Sequence, residues 1–113
     1  MIVDAGKVRM ADLLKTDFIN VAVGDGGDDT STAQTTMDNL IAEKAADSID
    51  RQGNTIVYTV TFTGSELNAN VINELGIFND ETPKKLLTRV NFNSIGPLSS
   101  SDSVAFTFRL VIE

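Results

Sequence analysis

Apolar and polar positions alternate most cleanly at two places in the chain. Ile56, Tyr58, Val60 and Phe62 are interleaved with Thr55, Val57, Thr59, Thr61 and Thr63, the period-two signature of a strand with one buried face and a threonine-rich outer one. The pattern returns at Val104, Phe106, Phe108, Leu110 and Ile112 against Ser103, Ala105, Thr107, Arg109 and Val111. Gly64-Ser65 and the stretch from Ile95 to Ser101 supply the breaks around these runs. Nearer the start, Val3, Val8, Met10, Leu13 and Leu14 fall close to helical spacing, with Asp4 as a candidate amino-terminal cap and Gly6 as a weakening residue. Phe18–Val23 is short enough for a strand, and Gly24-Asp25-Gly26-Gly27-Asp28-Asp29 ends it. A polar loop then extends to about Thr36, and residues 37–43 fit either a helical turn or an extended segment. The resulting expectation is a mainly β domain, an antiparallel β-sandwich or small barrel with a short N-terminal helix, spanning residues 1–113 as one unit.

A third β-rich region joins Asn70–Asn79 to Leu86–Phe92 through the turn Asn79-Asp80-Glu81-Thr82-Pro83-Lys84. Pairing Phe78 opposite Lys85 puts Val71, Leu75 and Ile77 on one face with Leu86, Val90 and Phe92, which is the expected core face. The reverse face then carries Ile72, Glu74, Gly76 and Phe78 with Lys85, Leu87, Arg89 and Asn91, and sets Glu74 directly opposite Arg89. Such a mixture of large apolar groups with an ion pair suits a surface that meets a partner, and equally a surface covered by the chain's own N-terminal helix. Glu74 and Arg89 are expected as a solvent-exposed cross-strand pair contributing about 0–1 kcal/mol.

Composition narrows the chemistry. The chain has no cysteine and no histidine, so thiolate chemistry, a disulfide framework and the commonest general base and metal ligand are all missing. No second acid or nucleophile is spaced to make Glu74 catalytic, and an enzyme is disfavoured. A net charge of −7, from 16 acidic and 9 basic residues, opposes binding to a phosphate backbone, so no nucleic-acid partner is expected. No run of residues reaches the length of a membrane span, and the N-terminus lacks a basic segment leading into an apolar one. The protein is therefore expected to be made soluble in a cytoplasm, with no membrane partner.

The Gly24–Asp29 segment lacks the Lys-Ser/Thr ending of a phosphate-binding loop, and it lacks the spacing and closing glutamate of an EF-hand. It reads as a mobile turn with no metal and no cofactor. Asp25, Asp28 and Asp29 are candidates for contacts with a basic neighbour on docking. The threonine-rich face of Thr55–Thr63 raises glycan binding as a weaker alternative, opposed by the single tyrosine and the absence of tryptophan.

Taken in order, Asp4-Ala5-Gly6-Lys7, Val21-Ala22-Val23-Gly24-Asp25-Gly26 with its Ser/Thr-rich loop, Leu40-Ile41-Ala42-Glu43, Arg51, Thr59-Val60-Thr61-Phe62, Asn73-Glu74-Leu75-Gly76-Ile77-Phe78 and Leu86-Leu87-Thr88-Arg89 resemble small structural proteins of tailed bacteriophages and related viruses. Members of that group occur as short virion proteins or as modules of tail-fibre and tail-tip proteins. The resemblance covers nearly the whole chain and is most specific at the Glu-Leu-Gly-Ile-Phe and Leu-Leu-Thr-Arg stretches. It departs from the usual pattern in the acidic loop after Gly24. It implies a non-enzymatic virion component at the tail tip, baseplate or fibre attachment region that pairs β-surfaces with copies of itself or with other tail proteins. A head decoration or head–tail connecting subunit, or a host-glycan-binding module, is the alternative. Ile72, Glu74, Phe78, Leu87 and Arg89 are the expected partner-facing residues.

Overall fold

The computed structural model describes residues 1–27 and 31–113. In chain order its elements are α1 (Asp4–Asp17), β1 (Asn20–Gly24), β2 (Leu40–Ala45), β3 (Ser48–Gln52), β4 (Thr55–Thr63), α2 (Gly64–Leu67), β5 (Ile72–Phe78), β6 (Leu86–Ile95) and β7 (Ser103–Val111). The strands form two separate antiparallel sheets, ordered β2-β1-β5-β6 and β3-β4-β7. The fold is mainly β, a sandwich of two sheets rather than a closed barrel.

Alternation explains how the sheets meet. Ile56, Tyr58, Val60 and Phe62 of β4 turn inward onto Val21 and Val23 of β1 and Leu75 and Ile77 of β5, all buried in one cluster. β7 pairs with β4 in unbroken register from Thr55↔Val111 to Thr63↔Ser103, and it adds Val104, Phe106, Phe108 and Leu110 to that cluster as half-buried side chains. Across the sandwich, Phe92 of β6 tilts onto Phe106 of β7 with ring centroids 5.5 Å apart, within the range favoured for edge-on aromatic contact.

α1 begins at Asp4 with Val3 as its cap residue and no side-chain cap bond. Asp4 is thus the first helical residue rather than the cap, and there its charge complements the N-terminal end of the helix dipole. Ala11 is the one buried residue of α1, with Leu14 packed beside it, while Met10 and Leu13 face outward. The helix lies against β3 and β4. It is tied there by an Arg51 Nε to Asp12 Oδ1 ion pair of 2.5 Å and, just beyond its end, by the Tyr58 hydroxyl donating to the Phe18 carbonyl at 2.8 Å. Burial pushes the Tyr58 phenol up to about 12.

Residues 40–45 resolve as the edge strand β2. The turn of α2 follows a reciprocal cap, in which Thr63 Oγ1 accepts from the Glu66 amide and Glu66 Oε1 accepts from the Thr63 amide. The Thr63 amide, helped by Lys44, holds the Glu66 carboxyl below its ordinary value. Among the described residues no helix is long and apolar enough to cross a membrane.

Candidate functional site

The outer face of the four-stranded sheet is built from unusually small residues. Ala22 pairs with Gly76, and Gly24 pairs with Glu74, so β1 and β5 leave a trough with little side-chain relief. Into it drops the segment 37–39, of which Met37 is buried. Met37 fills the trough over Gly76, where an added Cβ would lie 2.6 Å from the Met37 sulfur. Ala22, Met37 and Phe78 are buried there as a small second cluster, with Leu86 packed on it.

Beside this plug lies a buried ion pair. Arg89 Nη2 stands 2.6 Å from Glu74 Oε2, and the two side chains are 3% and 0% exposed. Arg89 Nε donates to the same oxygen at 2.7 Å. The Asp38 and Asn39 amides donate to Oε2 and Oε1 at 3.3 and 3.0 Å. Arg89 also donates to Asp38 Oδ2 at 3.0 Å, Asn91 Oδ1 at 2.9 Å and the Gly27 carbonyl at 3.1 Å, and the last of these also accepts from Asn91 Nδ2 at 2.7 Å. A charge taken out of water is tolerable only when paired and hydrogen-bonded, and Glu74 meets both conditions. Gly24 and Gly26 make room for it: a Cβ at Gly24 would collide with the Glu74 carboxylate and the Asn39 carbonyl, and one at Gly26 would sit 2.5 Å from Glu74 Oε2.

The arrangement fastens a loop to a sheet. Both Glu74 oxygens are occupied by donors, the backbone amides of Asp38 and Asn39 and the guanidinium of Arg89. Between residues 31–34 and β6 a cleft of about 450 Å³ opens, with Ser31, Thr32 and Gln34 on one wall and the stretch from Leu86 to Arg89 on the other. Among the described residues no group of three or more carboxylates is placed to hold a metal ion.

The structure brings Glu74, Phe78 and Arg89 to one face but corrects the register that joins them. Arg89 lies opposite Gly76 and Glu74 opposite Asn91, so the ion pair is diagonal. The turn closes with Asn79 opposite Lys85, through the Asn79 amide to the Lys85 carbonyl at 3.2 Å and the Lys85 amide to Asn79 Oδ1 at 2.8 Å. One residue of β6 is then extra, because Ile77 faces Thr88 while Phe78 faces Leu86. This bulge sends Leu87 to the core and Leu86 to the outer face, reversing their expected places. A second irregularity between Ile72 and Glu74 carries Ile72 into the main core, where it is fully buried.

The pair is therefore interior rather than solvent-exposed, and what closes over it is not α1 but the chain's own residues 37–39 with Gly26 and Gly27. Ile72, Glu74 and Phe78 are 0%, 0% and 6% exposed, so they are enclosed by this chain and present no free surface to a neighbour. Asp25 is exposed and its amide bonds the Asn39 carbonyl at 3.0 Å; Asp28 and Asp29 lie outside the described residues. Of the loop from Gly24 to Thr36, expected to be mobile, residues 25–27 are bonded to the sheet and to Asn39, while the bonds of residues 31–36 run among themselves and to Met37 and Asp38. Met37, Asp38, Asn39, Gly24 and Gly26 complete the anchor, and pattern reading assigned none of them to it. The available signal was Met37, the one large apolar side chain between Gly24 and Asn39. No protein-family model matches this chain, and no curated protein matches it.

Proposed function

We propose that this protein is a non-enzymatic structural component of a tailed virus, placed at the tail tip, baseplate or fibre attachment region and working by protein–protein assembly. One observation carries the reading. The Glu-Leu-Gly-Ile-Phe and Leu-Leu-Thr-Arg stretches, the most specific parts of the resemblance, supply Glu74, Gly76, Phe78 and Arg89 of the anchor. Those residues are spent on fixing a surface loop to a rigid sheet, a use that suits a scaffold presenting a shaped surface. The glycan-binding alternative loses support from Tyr58, whose ring is buried and unable to stack on a sugar.

The test is immunogold labelling of purified particles from a host producing this chain. Gold at the distal tail is the expected result. Gold on the capsid or at its portal end would favour the head-decoration or connecting-subunit alternative, and particles without the protein would overturn a virion role.

A further inference from the structure

Each sheet ends on a long edge strand at the same side of the sandwich, β6 in one and β7 in the other, joined by the Phe92–Phe106 contact. β7 pairs with β4 along one side for all nine residues. Among the described residues no strand pairs with its other side. An unpaired edge of this length is a ready template for another strand, and proteins that keep such edges single usually place prolines, lysines or several charges on them. β7 has no proline, no lysine and one charge, Arg109. Its inward side chains Val104, Phe106, Phe108 and Leu110 are only half-buried, and Val111 and Val90 beside them are 49% and 37% exposed.

Charge points to the occupant. Of the 16 acidic residues, only Asp102 lies between Leu86 and Ile112. This side is where two copies of a chain of net charge −7 can approach with the least repulsion between carboxylates. The sequence of β7 is also self-complementary about its midpoint. Antiparallel overlap of all nine residues sets Thr107 opposite Thr107 of the second copy. It then sets Phe106 opposite Phe108 and Val104 opposite Leu110 on the inner face, and Ala105 opposite Arg109 on the outer one. Aromatic rings meet aromatic rings, and no like charges face each other.

We propose that the free edge of β7 is a self-pairing interface, on which a second copy of this chain lays its own β7 antiparallel about Thr107. The two three-stranded sheets become one of six strands in an isologous twofold dimer. The proposal rests on the assembly reading above and names its surface and its partner.

Sedimentation velocity of the full chain across micromolar to millimolar concentrations tests it. Thr107 is exposed, so Thr107→Lys and Thr107→Asp should each fold as the parent does by circular dichroism and sediment as monomers, because each places like charges opposite one another. An equimolar mixture of the two should recover the dimer. A second pair of variants reads the same register without the axial position. Ala105→Asp, which faces Arg109 of the other copy twice per dimer, should tighten association roughly two- to tenfold, and Ala105→Lys should loosen it. A parent chain that stays monomeric throughout, variants that all dimerise alike, or a Thr107 mixture that stays monomeric would overturn the proposal. A monomer in solution whose label nevertheless sits on the tail would remove this interface and leave the virion role standing.

Discussion

Arg89 reaches Glu74 diagonally across β5 and β6, past the backbone position of Gly76 that it directly faces. Because both side chains are closed off from water, removing one partner strands the other. Arg89→Ala is expected to lower unfolding stability by about 3–5 kcal/mol in urea titration. Replacing Glu74 and Arg89 together by Met should cost at least about 1 kcal/mol less than the sum of the two single replacements. Additive costs would mean that the two groups do not act as a pair.

Gly26 lies against the same carboxylate and has no space for a methyl group. Gly26→Ala should destabilise by about 1–3 kcal/mol through overpacking, and the amides of Asp38 and Asn39 should lose protection from hydrogen exchange. Gly53 is the contrast: its φ is 62° and no atom lies within 4 Å of an added Cβ. Gly53→Asn is expected to stay within about 0.5 kcal/mol, because Asn tolerates the left-handed region and nothing crowds it. Equal losses at both glycines would deny Gly26 its role in seating Glu74.

Tyr58 makes stability fall at high pH. Its phenol ionises near 10 when the chain is unfolded and at about 12 in the fold, so the neutral form favoured by folding is fully present below pH 10 in both states. Above pH 10 the unfolded state loses the proton first. Stability should drop by roughly 2–3 kcal/mol as the pH rises from 10 to 12. Tyr58→Phe should remove that drop, at a cost near neutrality of about 1 kcal/mol for the lost bond to Phe18. An unchanged alkaline slope in Tyr58→Phe would assign the loss to other groups.

Phe78 sits under Met37 and Leu86, and an aspartate there would bury a charge in an apolar cluster. Phe78→Asp is expected to abolish cooperative unfolding, and Phe78→Ala to cost about 3–5 kcal/mol. A folded Phe78→Asp chain that merely fails to associate would instead put this face at a subunit boundary.

Period-two alternation made β4 and β7 legible because each buries one face and wets the other. β5 was harder: it is covered on both sides, so its apolar pattern did not say which face was the core. β2 and β3 are short edge strands with mixed burial, which leaves little periodicity to read. The bulge in β6 was invisible for a chemical reason, since Leu86 and Leu87 are identical and a slip between them changes nothing in the pattern. Two of the bonds closing the outer face come from the backbone amides of Asp38 and Asn39, donors that any residue but proline possesses. That Glu74 meets Arg89 could be inferred from sequence; that a loop seals them could not.

The ladder joining β4 to β7 also governs how this chain must be made. Ile56, Tyr58, Val60 and Phe62 leave the ribosome some forty residues before β7, the strand that pairs with the whole of β4, and β1, which has β2 on one side, likewise waits for β5 on the other. Until residues 103–111 clear the exit tunnel β4 has only the short β3 beside it, so one edge of a strongly apolar strand stays open, the kind of segment that chaperones hold and that aggregates when they do not. A message cut short before Ser103 would therefore leave β4 without its full-length neighbour and the core without Val104, Phe106, Phe108 and Leu110.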